Sequence, residues 1–441
     1  MSKKIRTYLL AIFIILFIIG TAYASTYASG YKINLSWPPR FNRLLIKTGM
    51  IIISSSPGGA TVYLDGQPQT NFSLNPWTKK YLNSSDKINN IPPGDYDLSL
   101  ELAGFWPFHK RIQVYPGQTT IIEGVNLFRS NAPLLIAETP NHFLSLSPSK
   151  KYLYLAGINK IINLKNGSEQ NLPDNFPTDA DWFKNDDYLL AAGLVFNPIE
   201  NNTLNYQELI GTSANHWQSG EQKNILYYLY NQSLASLDLN NKTSSLILSG
   251  QDYTAYEARN DYIFLIVKRD NKQILQKYSR SENRLVLEKN LPAVGAYRFI
   301  MDNSKFISLY DQTNKTLYLL PTDTLNGLTI FNVTSWQWTG ENTLIYNNDW
   351  EIHSLDASSN KDLLLTRISE KIGQLAWHQD KNYLLFTAGN SLQTLDFQTE
   401  NITKIFQAEA VESLALDDKN NLLYFWAKVG EQMGVYSLRL Q

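Results

Sequence analysis

The part of the chain that follows residue 143 repeats itself about every 40 residues. Each copy starts with a Trp or Leu and polar turn residues, and an apolar run begins six residues after that first residue. The pairs with this spacing are Trp182 and Tyr188, Trp338 and Leu344, Trp377 and Tyr383, Leu146 and Tyr152, and Leu416 and Leu422. Two further short strands then flank a polar turn, as in SLDLNNKTSSLIL from Ser236. A repeated unit of four short strands is typical of a β-propeller, in which every unit forms one blade.

The repeat also predicts how many blades there are and how the ring closes. Units begin near residues 143, 180, 214, 255, 297, 334, 373 and 412, which counts eight blades. Seven is the alternative, because the units at 255 and 297 are degenerate. The last unit ends at Gln441 with too few strands for a full blade. We expect residues 133–137 to supply its outer strand, which closes the ring and covers edges that otherwise promote aggregation. The propeller is assigned to residues 132–441.

A different all-β pattern occupies residues 49–128. The stretch SSSPGGATVYLDGQP, from Ser54 to Pro68, begins as a strand, stops at Pro57-Gly58-Gly59 and resumes at Thr61. Proline cannot donate to a sheet and glycine permits positive φ, so we interpret the interruption as a tight connection between two strands. Asp65-Gly66 is then a strong hairpin signal. Further strands are expected at 96–102, 110–115 and 119–127, and together they predict a small β-sandwich.

These residues resemble the PEGA domain family over about residues 49–128. The similarity lies in Ser56-Pro57-Gly58-Gly59-Ala60, Pro93-Gly94-Asp95-Tyr96, Gly104-Phe105 and Gly117-Gln118-Thr119-Thr120. Gly58 replaces the Glu of the family's signature, and the longer segment 67–90 replaces its short turn. The resemblance implies a non-catalytic module on a cell-surface or periplasmic protein. The later repeats are similar to WD-type and Tol-type propellers only in period and pattern.

The first residues predict a route across a membrane. Lys3, Lys4 and Arg6 precede a long apolar run, and the next charged residue is Lys32. This order keeps the basic end cytoplasmic and places the bulk of the chain outside the cytoplasm. Residues 1–24 are expected to form a retained single-pass anchor, since about 20 apolar residues span a bilayer. The alternative is a signal peptide cleaved after Ala24, which makes the protein secreted. Residues 25–48 are expected to be a stalk.

Composition and motifs weigh against several kinds of chemistry. The chain has no Cys, which excludes disulfides and thiolate sites, and its net charge of −1 gives no electrostatic basis for binding nucleic acid. Its five His residues lie far apart, without metal-binding spacing. The acidic pairs Asp179/Asp181, Asp186/Asp187 and Asp417/Asp418 are interpreted as solvated turns rather than calcium sites. The recurrent Trp residues are interpreted as packing residues between blades rather than glycan platforms. We expect no catalytic, cofactor-binding or metal-binding residues, and no cofactor.

The leading hypothesis is a membrane-anchored, extracytoplasmic binding module. Its propeller would recognise a protein or a cell-wall glycan through loops on one face, because a rigid blade ring holds such loops in place. One alternative is a secreted hydrolase or lyase that acts on polysaccharide through carboxylates in the central funnel, about 5–10 Å apart. Another alternative is a structural spacer in a surface layer, without a concave pocket.

Overall fold

A computed structural model describes residues 3–33, 45–71, 80–259 and 261–441. The chain begins with helix α1 (Lys3–Ala28), followed by the short strands β1 (Tyr31–Ile33) and β2 (Leu45–Lys47), which pair with each other. The side chains described in α1 are exposed except that of Thr26, which is half-buried, and the helix is long and apolar enough to cross a membrane, as a signal sequence also is. The helix extends four residues beyond the predicted boundary at Ala24 and stops before Gly30, whose φ is +77°.

Two small sheets form a sandwich between residues 49 and 128. One sheet has the order β10-β9-β4-β5 and the other the order β11-β3-β8, and a separate pair joins β6 to β7. The bounds are β3 (Gly49–Ser56), β4 (Thr61–Leu64), β5 (Gln67–Pro68), β6 (Thr70–Asn71), β7 (Lys80–Tyr81), β8 (Lys87–Ile91), β9 (Gly94–Glu101), β10 (Phe108–Val114) and β11 (Thr119–Asn126).

Alternating burial along these strands builds the sandwich core. The buried core includes Ile51 and Ile53 from β3, Val62 from β4 and Leu98 and Leu100 from β9. The expected break at residues 57–60 separates β3 from β4, and these two strands lie in different sheets. Within the predicted insert, β8 pairs with β3, whereas residues 72–79 lie outside the described residues. The insert therefore completes the second sheet.

Eight four-stranded antiparallel sheets follow in the described residues from 134 to 441. Strand β12 (Leu134–Glu138) comes first in the chain but belongs to the last sheet. Sheet 1 contains β13 (Leu144–Leu146), β14 (Tyr152–Leu155), β15 (Lys160–Asn163) and β16 (Glu169–Asn171). Sheet 2 contains β17 (Asp181–Trp182), β18 (Leu189–Ala191), β19 (Leu194–Asn197) and β20 (Asn202–Asn205), followed by helix α2 (Tyr206–Ile210). Sheet 3 contains β21 (Asn215–Ser219), β22 (Ile225–Tyr230), β23 (Ser233–Asp238) and β24 (Thr243–Ser249). Sheet 4 contains β25 (Asp252–Ala258), β26 (Tyr262–Arg269), β27 (Lys272–Ser279) and β28 (Arg284–Leu291).

The remaining sheets keep the same order of strands. Sheet 5 contains β29 (Tyr297–Ile300), β30 (Phe306–Asp311), β31 (Thr316–Pro321) and β32 (Leu328–Ile330). Sheet 6 contains β33 (Ser335–Trp338), β34 (Thr343–Asn347), β35 (Glu351–Asp356) and β36 (Lys361–Arg367). Sheet 7 contains β37 (Ile372–His378), β38 (Tyr383–Ala388), β39 (Ser391–Asp396) and β40 (Asn401–Gln407). Sheet 8 contains β41 (Ala410–Asp417), β42 (Leu422–Val429), β43 (Gln432–Arg439) and, as its outer strand, β12.

Neighbouring sheets pack face to face around a common axis, as the blades of a propeller do. Each neighbouring pair shares a buried apolar cluster, including the pair formed by the last and first sheets. In that closing cluster Leu153 and Leu155 of sheet 1 pack with Tyr424, Trp426 and Val435 of sheet 8. The predicted closing strand is confirmed, because β12 pairs with β43.

Candidate functional site

The first strands of the eight sheets surround a central channel. First strands contact each other between sheets 4 and 5, sheets 6 and 7, and sheets 7 and 8, and β13 contacts β41 across the closure. A cavity of about 530 Å³, here called the channel cavity, is lined by the first strands of sheets 2 to 5. A second cavity of about 460 Å³ is lined by the first strands of sheets 6, 7, 8 and 1. The two cavities thus lie along opposite halves of the channel.

One ion pair crosses the channel cavity. The Arg298 guanidinium on β29 donates to the Asp181 carboxylate on β17, with 3.2 Å between Nη2 and Oδ2. The Asp181 side chain is 70% exposed to the channel and that of Arg298 is 55% exposed. The nearby channel wall partly desolvates the Asp181 carboxyl and raises its pKa above the ordinary value, with a smaller opposing effect from Arg298. Lys184 lines the same cavity, so the lining carries two permanent cations and one carboxylate.

A bulge in β21 changes which side chains face the channel cavity. The pairing of β21 with β22 shifts between Asn215 and Gln218, and His216 has a φ of +51°. Such bulges redirect side chains and recur beside binding sites. The Tyr256 hydroxyl donates to the His216 carbonyl at 2.6 Å and holds the bulge against sheet 4. Burial lowers the His216 pKa, which favours its neutral form.

The recurrent Trp residues lie between sheets and also line the channel. Trp182 packs in the cluster between sheets 1 and 2, and its indole nitrogen donates to Ser145 Oγ at 3.0 Å. Trp338 stacks on Phe306 of sheet 5 with 5.5 Å between ring centroids. Trp377 packs in the cluster between sheets 6 and 7. The same three residues line the two cavities, so they pack between sheets and form part of the channel wall.

The second cavity contains its own ion pair. Lys150 on the turn of sheet 1 contacts the carboxylate of Asp418, which follows the first strand of sheet 8. Burial alone would raise the pKa of Asp418, but the hydrogen bond and the charge of Lys150, together with smaller contributions, hold that pKa below its ordinary value. Among the described lining residues each cavity therefore has one carboxylate, and each carboxylate has a cationic partner.

Glu257 and Arg259 join sheets 4 and 5 beside the channel cavity. Glu257 is fully buried, and its Oε1 lies 2.6 Å from Arg259. Arg259 also donates to the backbone carbonyls of Asn303, Ser304 and Phe306. Burial raises the pKa of Glu257 to about 7, and Arg259 acts in the opposite direction. Oε2 of Glu257 is buried without a hydrogen-bond partner in the described residues.

The loops divide between two faces of the ring. In antiparallel sheets, connections between second and third strands lie on the same side as connections from one sheet to the next. We call this side the distal face. Exposed apolar side chains on its loops include Val294, Phe331 and Trp350, which are 75%, 69% and 50% exposed. Trp350 borders a cavity of about 640 Å³ that also includes Asn332 and Arg367.

The sandwich contacts the opposite side, here called the proximal face. Asn126 of β11 donates to Asp396 Oδ2 from its backbone nitrogen at 3.1 Å and from its side chain at 2.8 Å. The same amide donates to the Lys381 carbonyl at 3.0 Å, and Lys110 donates to the carbonyl of Thr399. These contacts lie on turns of sheet 7. The described residues of the sandwich therefore leave the distal face uncovered.

The predicted acidic turns differ from one another in the structure. Asp187 and Asp417 are buried rather than solvated, because neighbouring donors use their oxygens. Asp187 accepts from the Ser149 hydroxyl at 2.5 Å, and Asp417 accepts from the Asn420 amide at 2.7 Å. The sequence interpretation as solvated turns was wrong for these two. In the described residues, His, Asp and Glu form no group of three that could hold a metal ion.

The arrangement of the sheets defines an all-β chain with a propeller fold. No protein-family model and no curated protein matches the chain. Among solved structures, it is similar to a eukaryotic initiation factor, with a TM-score of 0.45 and 12% identity over 69% of this chain and 89% of the other. It is also similar to a chain of the mitotic checkpoint complex, with a TM-score of 0.38 and 12% identity over 68% of this chain and 90% of the other. A third similar structure is Hsv2p of Kluyveromyces lactis, with a TM-score of 0.35 and 9% identity over 49% of this chain and 71% of the other. Likenesses this distant carry no argument about function.

Proposed function

We propose that this chain is a membrane-anchored, extracytoplasmic protein whose eight-bladed propeller is a non-catalytic binding module for a protein or a cell-wall glycan. In this proposal the sheets numbered 1 to 8 are the blades, and the sandwich is a PEGA-type module next to the membrane. The order of the chain supports this arrangement, since α1 precedes the sandwich and the sandwich contacts the proximal face. The distal face then points away from the membrane.

The observation that carries the proposal is the set of exposed apolar side chains on the distal loops. Val294, Phe331 and Trp350 lie on connections of three consecutive sheets, so they follow one arc of the ring. Exposed apolar groups beside polar ones are typical of recognition surfaces, and Trp is frequent at the centres of such surfaces. The polar residues Asn332 and Arg367 border the same cavity as Trp350.

Photo-crosslinking in the native envelope tests this surface. A photoreactive phenylalanine derivative replaces Trp350 in the full-length protein, and the matched control carries it at Leu285, which is exposed on the outer strand β28. The proposal expects adducts to a protein or a glycan from position 350 and few from position 285. Equal labelling at both positions, or none at position 350, contradicts it.

The hydrolase or lyase alternative has weaker support. Among the residues that the structure describes, the cavity linings present no two unpaired carboxylates, because Asp181 and Asp418 each have a cationic partner. Incubating the purified protein with a panel of wall polysaccharides and measuring new reducing ends tests the alternative. Turnover that is lost in Asp181→Asn or Asp418→Asn would favour the enzyme over the binding module. A purely structural spacer has less support, since the structure contains concave cavities.

The anchor has a separate test. We propose that α1 is retained, because its apolar residues continue to Ala28. Intact mass measurement of the protein extracted from membranes distinguishes the two fates. A mass that includes residues 1–24 supports the anchor, and a mass that begins at Ser25 shows cleavage and secretion.

A further inference from the structure

The channel cavity carries an excess of positive charge. Arg298 and Lys184 face it, and Asp181 is its single carboxylate among the described lining residues. Arg298 pairs with Asp181, whereas Lys184 forms no ion pair in the described part of the chain. The Lys184 ammonium is exposed on the cavity wall, and its charge also lowers the pKa of the nearby Glu257 carboxyl. Beside the wall of the cavity, electrostatic attraction between such a cation and an anion is stronger than in bulk water.

The contact with Asp181 occupies only part of the hydrogen-bonding capacity of the Arg298 guanidinium. Its contact with Asp181 is a single hydrogen bond from Nη2, and about half of the Arg298 side chain stays exposed to the channel. A guanidinium has five N–H donors in a planar fork that matches a carboxylate in two-point contact. Asp181 therefore leaves donors of Arg298 available to a second anion.

The rest of the lining suits a small, hydroxylated molecule. Ser219 and Gln312 add a hydroxyl and an amide, while Trp182 and Ile300 add apolar surface. The cavity volume of about 530 Å³ lies in the range of small-molecule sites, roughly 300–1,000 Å³. Such a mixture of a few polar groups with an apolar wall is typical of ligand pockets.

We propose that the channel cavity binds a sugar acid of the uronic acid class. Its carboxylate pairs with Arg298 and Lys184 in competition with Asp181, and its hydroxyls face Ser219 and Gln312. A neutral sugar leaves both cations without an added partner and binds more weakly. The inference rests on the proposed function only in treating the propeller as a binding module, since this cavity is separate from the loops of the distal face.

Calorimetric titration of the full-length protein in detergent tests the inference. The probes are D-glucuronate, D-glucuronamide and D-glucose, which differ in the charge or presence of the acid group. Glucuronate is expected to bind about tenfold more tightly than the other two, as a charge-assisted contact implies. Equal binding of glucuronate and glucuronamide, or no binding of glucuronate, overturns the inference.

Three variants assign the binding to this cavity. Arg298→Gln is expected to weaken glucuronate binding about tenfold or more, and Lys184→Gln several-fold. Asp181→Asn is expected to tighten it, because the competing carboxylate is gone. The matched control is Arg284→Gln, which removes an exposed arginine paired with Glu282 outside the cavity. If Arg298→Gln does not fold, Lys184→Gln still tests the cavity, since Lys184 forms no ion pair with any residue that the structure describes.

The outcomes also separate this site from the distal face. Glucuronate binding that Arg298→Gln and Lys184→Gln leave unchanged rules out the channel cavity, even if crosslinking at position 350 succeeds. Loss of crosslinking at position 350 with intact glucuronate binding rules out the distal face and leaves the cavity assignment in place.

Discussion

The two kinds of Trp in this chain differ in what surrounds them. Trp338 lies half-buried between sheets 5 and 6, stacks on Phe306 and donates to Ser308 Oγ at 3.3 Å. Trp350 lies on a distal loop and is half exposed. Removing apolar area from water stabilises a fold in proportion to the area buried, so the first residue contributes more to stability than the second.

Replacing these residues separately tests their roles. Trp338→Leu is expected to lower the free energy of unfolding by about 2–3 kcal/mol, because it leaves a cavity beside Phe306 and removes the hydrogen bond from the indole to Ser308. Trp350→Leu is expected to change it by less than about 0.5 kcal/mol while reducing partner capture. Denaturant unfolding monitored by fluorescence measures both, and equal losses of stability would contradict the distinction.

Glu257 links folding to pH. Its carboxyl pKa in the folded chain is about 7, compared with an ordinary value of 4.5. The folded state therefore holds a proton that the unfolded state releases between these values, and stability falls as the pH rises from about 4.5 to 7. The contribution is fully present below pH 4.5 and is lost above pH 7.

Glu257→Gln is expected to remove this part of the pH dependence. A neutral amide cannot ionise, so the difference in unfolding free energy between wild type and variant changes by about 3 kcal/mol from pH 4.5 to pH 8. Urea unfolding at several pH values measures that difference. Glu282→Gln, at an exposed site, is the control. A Glu257→Gln profile parallel to that of wild type would show that the buried carboxyl does not titrate in this range.

Among the strands and turns, one recurring aspartate turn stabilises the sheets and, in sheet 7, also binds the sandwich. Asp238, Asp356 and Asp396 each end the third strand of their sheet and accept backbone N–H groups from the following turn. In sheet 6, hydrogen bonds from the Ser358 hydroxyl and from the turn backbone lower the pKa of Asp356 to about 2, and the Ser358 hydroxyl has the largest effect. In sheet 7 the second oxygen of Asp396 instead binds Asn126 of the sandwich. A local turn signal is thereby used for docking between domains.

Asn126→Ala is expected to loosen that docking. It removes three side-chain hydrogen bonds, with Asp396, the Lys381 carbonyl and Gln441. Asp396 Oδ2 then keeps one donor, and the loss costs about 1–3 kcal/mol. Because Arg129 is exposed just after the docked strand, trypsin should cut there faster in the variant. Asn131→Ala, in an exposed part of the same segment, serves as the control. Unchanged cleavage rates would mean that the sandwich is held by other contacts.

For the molecule as a whole, stability depends on the closing sheet. Strand β12 precedes the other sheets in the chain and pairs with β43 near its end. The close approach of these strands requires Gly434, since a Cβ there would lie 2.4 Å from the carbonyl oxygen of Ala137. Closure also brings Trp426 into contact with Thr139, whose carbonyl accepts from the indole at 2.9 Å.

Gly434→Val is expected to open the ring and lower the free energy of unfolding by about 3 kcal/mol or more, since backbone must move to fit the side chain. Gly340→Val is the matched control, because Gly340 has open space around it. Thermal unfolding and the exchange of amide hydrogens in β12 measure the effect. Similar melting temperatures for the two variants would contradict a central role for this closure.

Local signals in the residues predicted the strands well. The repeat of about 40 residues placed the units near the first strands of the eight sheets, from Leu144 to Ala410, and identified the closing strand. Turn residues and alternating apolar positions are short-range properties, so they can be read without knowing what packs against them. The helix end and the strand supplied by the insert were missed, since no comparably strong signal marks them.

Which residues meet at the candidate sites could not be predicted from such local signals. Asp181 and Arg298 are 117 residues apart, and Asn126 and Asp396 are 270 apart. Whether such residues meet depends on the number of sheets between them and on the angle at which each sheet is set in the ring. Strand order therefore follows from the residues alone, whereas the charged channel and the docked sandwich exist only once the ring has closed, because distance along the chain does not determine distance in space.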